Sequence, residues 1–184
     1  MVIAFFLVHT NNGDYMKKVT YYINVFLIYS IIGFIIETTL KTFIFKNMNN
    51  GILFGPWIPV YGLGVVLIIF IMRLVFNRIK VKRGIKIFLV FLLSLIVLTI
   101  IELLGGILIE KIFNKVFWDY SDLKFNLGHY IALEISLIWE IMSLVVIYLI
   151  KPIIDKIIKK IPSIITYLVL FIFIVDAIIT FIVV

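Results

Sequence analysis

Cysteine is absent from all 184 residues, which excludes disulfide frameworks, thiolate metal sites and cysteine nucleophiles. Charge is scarce, at 15% of residues, and histidine occurs only at His9 and His129. Two histidines far apart make a poor zinc site, since zinc takes several nitrogen or sulfur donors. No G-x-x-x-x-G-K-[ST] stretch occurs, so ATP is not bound and hydrolysed through a P-loop. Proline is limited to four positions, two of which, Pro56 and Pro59, lie close together. What is present is apolar: 64% of residues are hydrophobic and 17 are phenylalanine. Lipid is the expected solvent, and a chain of this length leaves little room for a soluble module. The net charge of +7 would suggest nucleic acid in a soluble protein. Here the basic residues end apolar runs, so topology and membrane lipids account for them and no nucleic-acid partner is expected.

Apolar runs of about 17–25 residues, the length needed to cross a bilayer, fall at Tyr21–Phe45, Val60–Phe76, Ile87–Ile109, Ile131–Ile150 and Ile164–Val184. The fold class is therefore all-α, a polytopic membrane protein of five transmembrane helices with connections at 46–59, 77–86, 110–130 and 151–163. Residues 21–184 read as one integral helical domain. The first twenty read as an N-terminal segment of doubtful start. Met1–Val8 is too short to span and lacks the basic region of a signal peptide. Met16-Lys17-Lys18 makes a more natural beginning, and Gly13-Asp14-Tyr15 can be encoded as a ribosome-binding-like GGAGATTAT. Twelve basic residues group on one side of the spans and five on the other, Lys41, Lys46, Lys111, Lys115 and Lys124. The positive-inside rule then places the N-terminus in the cytoplasm and the C-terminus outside.

Six acids fall inside these spans: Glu37, Glu102, Glu110, Glu134, Glu140 and Asp176. A carboxylate at mid-bilayer costs about 2.5–3.5 kcal/mol, so six facing lipid would cost roughly 15–20 kcal/mol. They are expected to face the bundle interior or the interface. With the N-terminus inside, all six lie at or beyond the membrane centre on the outer side, and the cytoplasmic half of the spans holds none. Helical spacing aligns Ser30, Gly33, Glu37 and Lys41 on one face. Thr99, Glu102, Gly106 and Glu110 share another, as do Ala132, Ser136, Glu140 and Ser143. Small residues beside a polar one mark close helix packing in membranes. The stripes are expected to converge on one outward polar cavity holding Glu37, Glu102 and Glu140, where crowded acids could exchange a proton for a cation. Alternatively, each acid bonds a neighbouring helix or pairs locally, as Glu37 would with Lys41.

The connections on that side carry the irregular sequence. Gly51–Gly64 contains four glycines with Pro56 and Pro59, and Gly55 and Gly62 free the backbone. It reads either as broken backbone lining a cavity, with N–H and C=O groups open to a ligand, or as a tight turn with Trp57 and Tyr61 as interface anchors. Phe117–Tyr130 supplies Trp118, Tyr120 and Tyr130 for an aromatic belt, and Asn126-Leu127-Gly128 reads as a turn. Asp119, Asp122 and His129 have side chains suited to a cation or to acid–base work. Candidate ligand or ion-cavity residues are Glu37, Glu102, Glu110, Glu140, Asp176, Gly55, Pro56, Pro59, Tyr61, Trp118, Asp119, Tyr120, Asn126 and His129. No catalytic residue, cofactor site or metal site is assigned.

Tyr29–Glu37, Asn49–Gly64, the Glu102–Glu110 E-x-x-x-G-x-x-x-E pattern, Trp118–Gly128, and Ser136 with Trp139 together resemble the bacterial family called putative ABC-transporter type IV. The likeness runs from about Tyr21 to Asp176. It implies a multi-pass, permease-like protein of the cytoplasmic membrane of Gram-positive-type bacteria, without a defined substrate. The family pattern has Arg where this chain has Asn50, commonly Arg in place of His129, and Gly in place of Glu140. Losing the arginines weakens an anion clamp, and Glu140 tilts the expected ligand toward a cation. The leading reading is a permease-like subunit for a small cationic ligand, needing a homodimer or a separate ATPase subunit to transport. A membrane-embedded enzyme acting on lipid or envelope precursors is one alternative; a non-catalytic membrane partner or sensor is another.

The topology is tested by reporter fusions at Lys82 and Val184. Lys82 is expected to report cytoplasm and Val184 the exterior. A cytoplasmic Val184 would mean a miscounted span.

Overall fold

The computed structural model describes residues 12–43, 52–77 and 79–183, with side chains at 12–15 and 40–43 excluded. The Met1–Val8 run, His9, Asn49–Gly51 and the expected Glu37–Lys41 pair thus fall outside the described residues. The elements are α1 (Asn12–Phe43), α2 (Pro59–Phe76), α3 (Arg83–Phe113), β1 (Asn126–Leu127), β2 (Ile131–Ala132), α4 (Leu133–Val145), a π turn (Val146–Ile150), α5 (Lys151–Ile158) and α6 (Ser163–Val183). Five helical spans are long and apolar enough to cross a membrane, the fourth running unbroken from Leu133 to Ile158. The chain is a multi-pass α-helical membrane protein.

Sequence chemistry explains most of the ends. Pro59 occupies the first turn of α2, where its missing N–H costs nothing. Helix α3 stops where Asn114 turns left-handed at φ 54°, a conformation asparagine tolerates, with its N–H on the Glu110 carbonyl. The short β1–β2 hairpin pairs Asn126 with Ala132 and Leu127 with Ile131, and Gly128 supplies the positive φ its turn needs.

The fourth span differs from the expectation. A connection was expected over 151–163, because the fourth apolar run ends at Ile150 where Lys151 and Pro152 follow. The chain instead continues through the π turn, where the Lys151 N–H reaches back to the Val146 carbonyl, and Pro152 sits in the first turn of α5. The wider turn takes up the break that proline imposes. As a result a seventh acid, Asp155, lies on a membrane helix at the basic end, where none was expected. It pairs with Lys151 at 2.5 Å and accepts from the Tyr21 hydroxyl at 3.0 Å.

Helix α1 is central, packing against α2, α5 and α6, while α2 packs on α3 and α3 on α4. The core joins Val25 and Tyr29 of α1, Ile68 and Ile69 of α2, Ile147 of the π turn and Ile158 of α5. Gly62 lets α2 approach α1 closely, since a Cβ there would lie 2.2 Å from the Phe26 carbonyl oxygen. Buried polar pairs add direction where lipid offers no hydrophobic drive between helices. Thr166 of α6 donates to Asn24 of α1 at 3.1 Å. The opposite face of α6 exposes Leu168, Phe171, Ile178 and Ile182, suited to lipid.

Candidate functional site

A carboxylate in low-dielectric surroundings has to be met by donors, and at the acidic end of the bundle those donors come largely from tyrosines. On α1, Gly33 lies one turn before Glu37. A Cβ on Gly33 would stand 2.3 Å from Tyr61 Cδ2, so the tyrosine ring occupies the notch that glycine leaves. Its hydroxyl then donates to Glu37 Oε2 at 3.0 Å. The same device recurs on α3. A Cβ on Gly106 would lie 2.4 Å from Tyr130 Cδ1, and the Tyr130 hydroxyl donates to Glu110 Oε2 at 2.5 Å. Tyr120 donates to Glu102 at 3.1 Å.

Backbone donors meet two further acids. The Gly55 N–H points at both oxygens of Asp176, 3.1 Å from each. The Phe125 N–H donates to Glu134 at 3.1 Å. The irregular connections thus act as caps that present hydrogen-bond donors to the acids of the helices.

Two of these pairs meet. Tyr61 lies within electrostatic reach of Glu102 and Tyr120 as well as Glu37. Tyr120 in turn feels Glu37 and the nearby Trp139 indole. Trp139 stands edge-on to Tyr61, with ring centroids 5.4 Å apart. Glu37 from α1, Tyr61 from α2, Glu102 from α3, Trp139 from α4 and Tyr120 from the hairpin connection therefore form one cluster joining four spans. Burial and the Glu102 charge raise the Tyr120 hydroxyl above its ordinary range. Tyr130 is pushed up to about 12, chiefly by its bond to Glu110. Both phenols stay protonated donors at neutral pH.

Glu140 sits elsewhere. It is fully buried between α3 and α4, where Oε1 meets Ser94 at 2.7 Å and Ser143 at 3.2 Å. Its Oε2 has no partner among the described residues. Of the three acids expected in one pocket, Glu37 and Glu102 approach the same aromatic cluster and Glu140 occupies a separate serine contact. The physical reason is register: Glu140 directly follows Trp139, and neighbouring helix positions point about 100° apart.

The Gly51–Gly64 segment is irregular over the described residues 52–58, yet much of its backbone is engaged. Besides the Gly55 bond to Asp176, the Ile58 N–H donates to the Ser30 carbonyl at 3.0 Å. Trp57 is buried edge-on to Phe173, with ring centroids 5.8 Å apart. Pro56 is exposed and Pro59 starts α2.

In the hairpin connection, Trp118 packs edge-on to Tyr130 at 6.0 Å, and Asn126 Nδ2 donates to the carbonyls of Ser121 and Leu123, both at 2.7 Å. Ser121, His129 and Asp119 meet in a way that suggests a hydrolytic triad, but the geometry differs. Ser121 Oγ and Asp119 Oδ1 both contact His129 Nδ1, at 2.9 and 3.3 Å, and Ser121 also donates to Asp119. A triad needs the nucleophile on one ring nitrogen and the acid on the other. The group is also exposed, and its hydrogen bonds lower the Asp119 carboxyl below the usual range, those from the Ser121 hydroxyl and N–H foremost. It closes a surface turn. Among the described residues, no group of three or more His, Asp or Glu side chains is placed to hold a metal ion.

The acids and glycines of this end were visible as helical stripes. Tyr61 was among the candidate residues, but its place in the Gly33 notch and that of Tyr130 in the Gly106 notch were not read, although a glycine four residues before a glutamate, twice over, is the signal that would have found them. Ser94 was missed because it lies outside the α3 stripe. The model of one protein family, described as putative ABC-transporter type IV, matches residues 24–183, which include every acid of this end. No curated protein and no solved structure matches the chain.

The notch makes neighbouring glycines unequal. Gly106→Ala is expected to lower stability by about 1–3 kcal/mol, the usual effect of overpacking. Gly105→Ala, where a Cβ would meet nothing within 4 Å, is expected to change it by less than about 0.5 kcal/mol or to stabilise the helix. Thermal unfolding of the purified protein in detergent reads the difference, and equal effects would mean that Tyr130 does not occupy the Gly106 notch.

Proposed function

The chain belongs to the putative ABC-transporter type IV family, and from that premise we propose that it is a permease-like membrane component whose acidic end faces outward and receives a small organic cation. The observation that carries the reading is the meeting of Glu37 and Glu102 with Tyr61, Tyr120 and Trp139. Aromatic faces attract a cation through the ring quadrupole, and desolvation strengthens the attraction. Carboxylates behind those rings add a net charge that favours a monovalent cation over a neutral solute.

The twelve-to-five asymmetry of basic residues supports the outward orientation. It places the opposite, basic end against the cytoplasm, where a separate ATPase subunit would dock, since the chain has no P-loop of its own. The same asymmetry supports the cytoplasmic membrane as the location. The alternative of a membrane-embedded enzyme acting on lipid or envelope precursors has the Asp119–His129 contact to draw on for acid–base work, but not a serine triad, since acid and hydroxyl share one ring nitrogen.

Scintillation-proximity binding of radiolabelled choline to the full-length protein in detergent tests the reading. Saturable binding is expected, weakened at least about tenfold by Glu102→Gln and by Trp139→Leu while both variants keep the wild-type elution profile. No saturable binding of choline or of tetramethylammonium by wild-type protein would overturn the cation site. A stable complex with a larger protein in that case would point to the partner role.

A further inference from the structure

Two open clefts adjoin at the basic end of the bundle. One, of about 270 Å³, is lined by Lys17, Lys18, Tyr21 and Arg73. The other, of about 360 Å³, is apolar and runs between Val19, Tyr22, Ile23 and Phe26 of α1 and Leu63 and Val66 of α2, with Leu170 of α6 at its side. Tyr22 joins them: its ring lines the apolar cleft, and its hydroxyl accepts from Arg73 Nη1 at 2.8 Å.

The cations are aimed and only partly neutralised. The Arg73 guanidinium stands 5.3 Å from the Tyr21 ring centroid and 5.2 Å from that of Tyr22, which fixes its plane. One of its five N–H groups is used on Tyr22, leaving others for oxygen ligands. The nearest acid on α5, Asp155, is engaged by Lys151 and by the Tyr21 hydroxyl. Lys17, Lys18 and Arg73 therefore share a positive corner at a helix end, where a lipid headgroup lies.

The shape continues the charge pattern. Val66 and Arg73 are seven residues apart on one face of α2. From Lys18 to Phe26, α1 rises about 12 Å at 1.5 Å per residue, so the apolar cleft leads from the cations toward the membrane interior. We propose that the paired clefts form a binding site for an anionic phospholipid, its phosphodiester on Lys17, Lys18 and Arg73 and one acyl chain between α1 and α2. The site lies at the end of the bundle opposite the acid–tyrosine cluster and is independent of the proposed cation function.

Native mass spectrometry of the full-length protein in detergent tests this, with dioleoyl-phosphatidylglycerol, dioleoyl-phosphatidylcholine and free glycerol 3-phosphate as probes. Phosphatidylglycerol is expected to bind at least about tenfold more tightly than phosphatidylcholine, and glycerol 3-phosphate not to be retained. Arg73→Gln is expected to remove most of that preference, as is Val66→Trp, which fills the cleft. If Arg73→Gln does not accumulate, the Lys17→Gln/Lys18→Gln pair, exposed at the helix end, is read instead and is expected to act in the same direction. Equal retention of the two lipids, or a preference that survives the headgroup variants, would overturn the site. Retention of glycerol 3-phosphate together with an unaffected Val66→Trp protein would assign the cations to a soluble phosphate instead.

Discussion

A carboxylate removed from bulk water needs hydrogen-bond donors, and the acidic end of this protein depends on how that need is met. The helix backbone cannot supply the donors, because within a helix the N–H groups are committed to carbonyls. Tyrosine side chains, two from the connecting segments and Tyr61 from the first turn of α2, supply them together with irregular backbone. Tyr61 reaches Glu37, Tyr130 reaches Glu110, Tyr120 reaches Glu102, and the Gly55 N–H reaches Asp176. Three of these bonds tie a connection to a helix, and the Tyr61 bond ties α2 to α1. The acids are thus the posts on which the connecting segments are mounted, and the same bonds that lower the burial cost fix the position of the aromatic rings.

The two ends of the bundle solve opposite problems. At the acidic end, negative charge is drawn inward and covered by rings and loops. At the basic end, Lys17, Lys18 and Arg73 stay open beside an apolar cleft, where a lipid can cover them. Between the ends, Asn24 with Thr166 and Glu140 with Ser94 and Ser143 place polar contacts across helix pairs. Such contacts select a register, because a slip of one residue would leave each partner unsatisfied in a medium without water.

Five spans and their approximate limits were legible because lipid imposes a length, and Tyr21–Phe45 or Ile164–Val184 satisfies it without knowledge of any neighbour. The end of the fourth span was not legible. Pro152 forbids a regular helix locally, and the π turn that accommodates it depends on Ile147 packing into the core. The acids and the small residues beside them were legible from periodicity. Their partners were not, since pairing Tyr130 with Gly106 needs the hairpin to fold back over α3. Glu140 shows the same limit: its position on a stripe was correct in kind, but a stripe gives a direction around one helix and not which neighbour stands there.

The account's central claim is that Glu37 and Glu102 belong to one cluster through Tyr61 and Tyr120, with Glu140 apart. A double-mutant cycle on thermal unfolding of the full-length protein in detergent tests it directly. Tyr61→Phe and Glu102→Gln, which share no direct hydrogen bond, are predicted to be coupled by about 0.5 kcal/mol or more. Tyr61→Phe and Glu140→Gln are predicted to add within error. Additivity in the first pair, or equal coupling in both, would contradict the account.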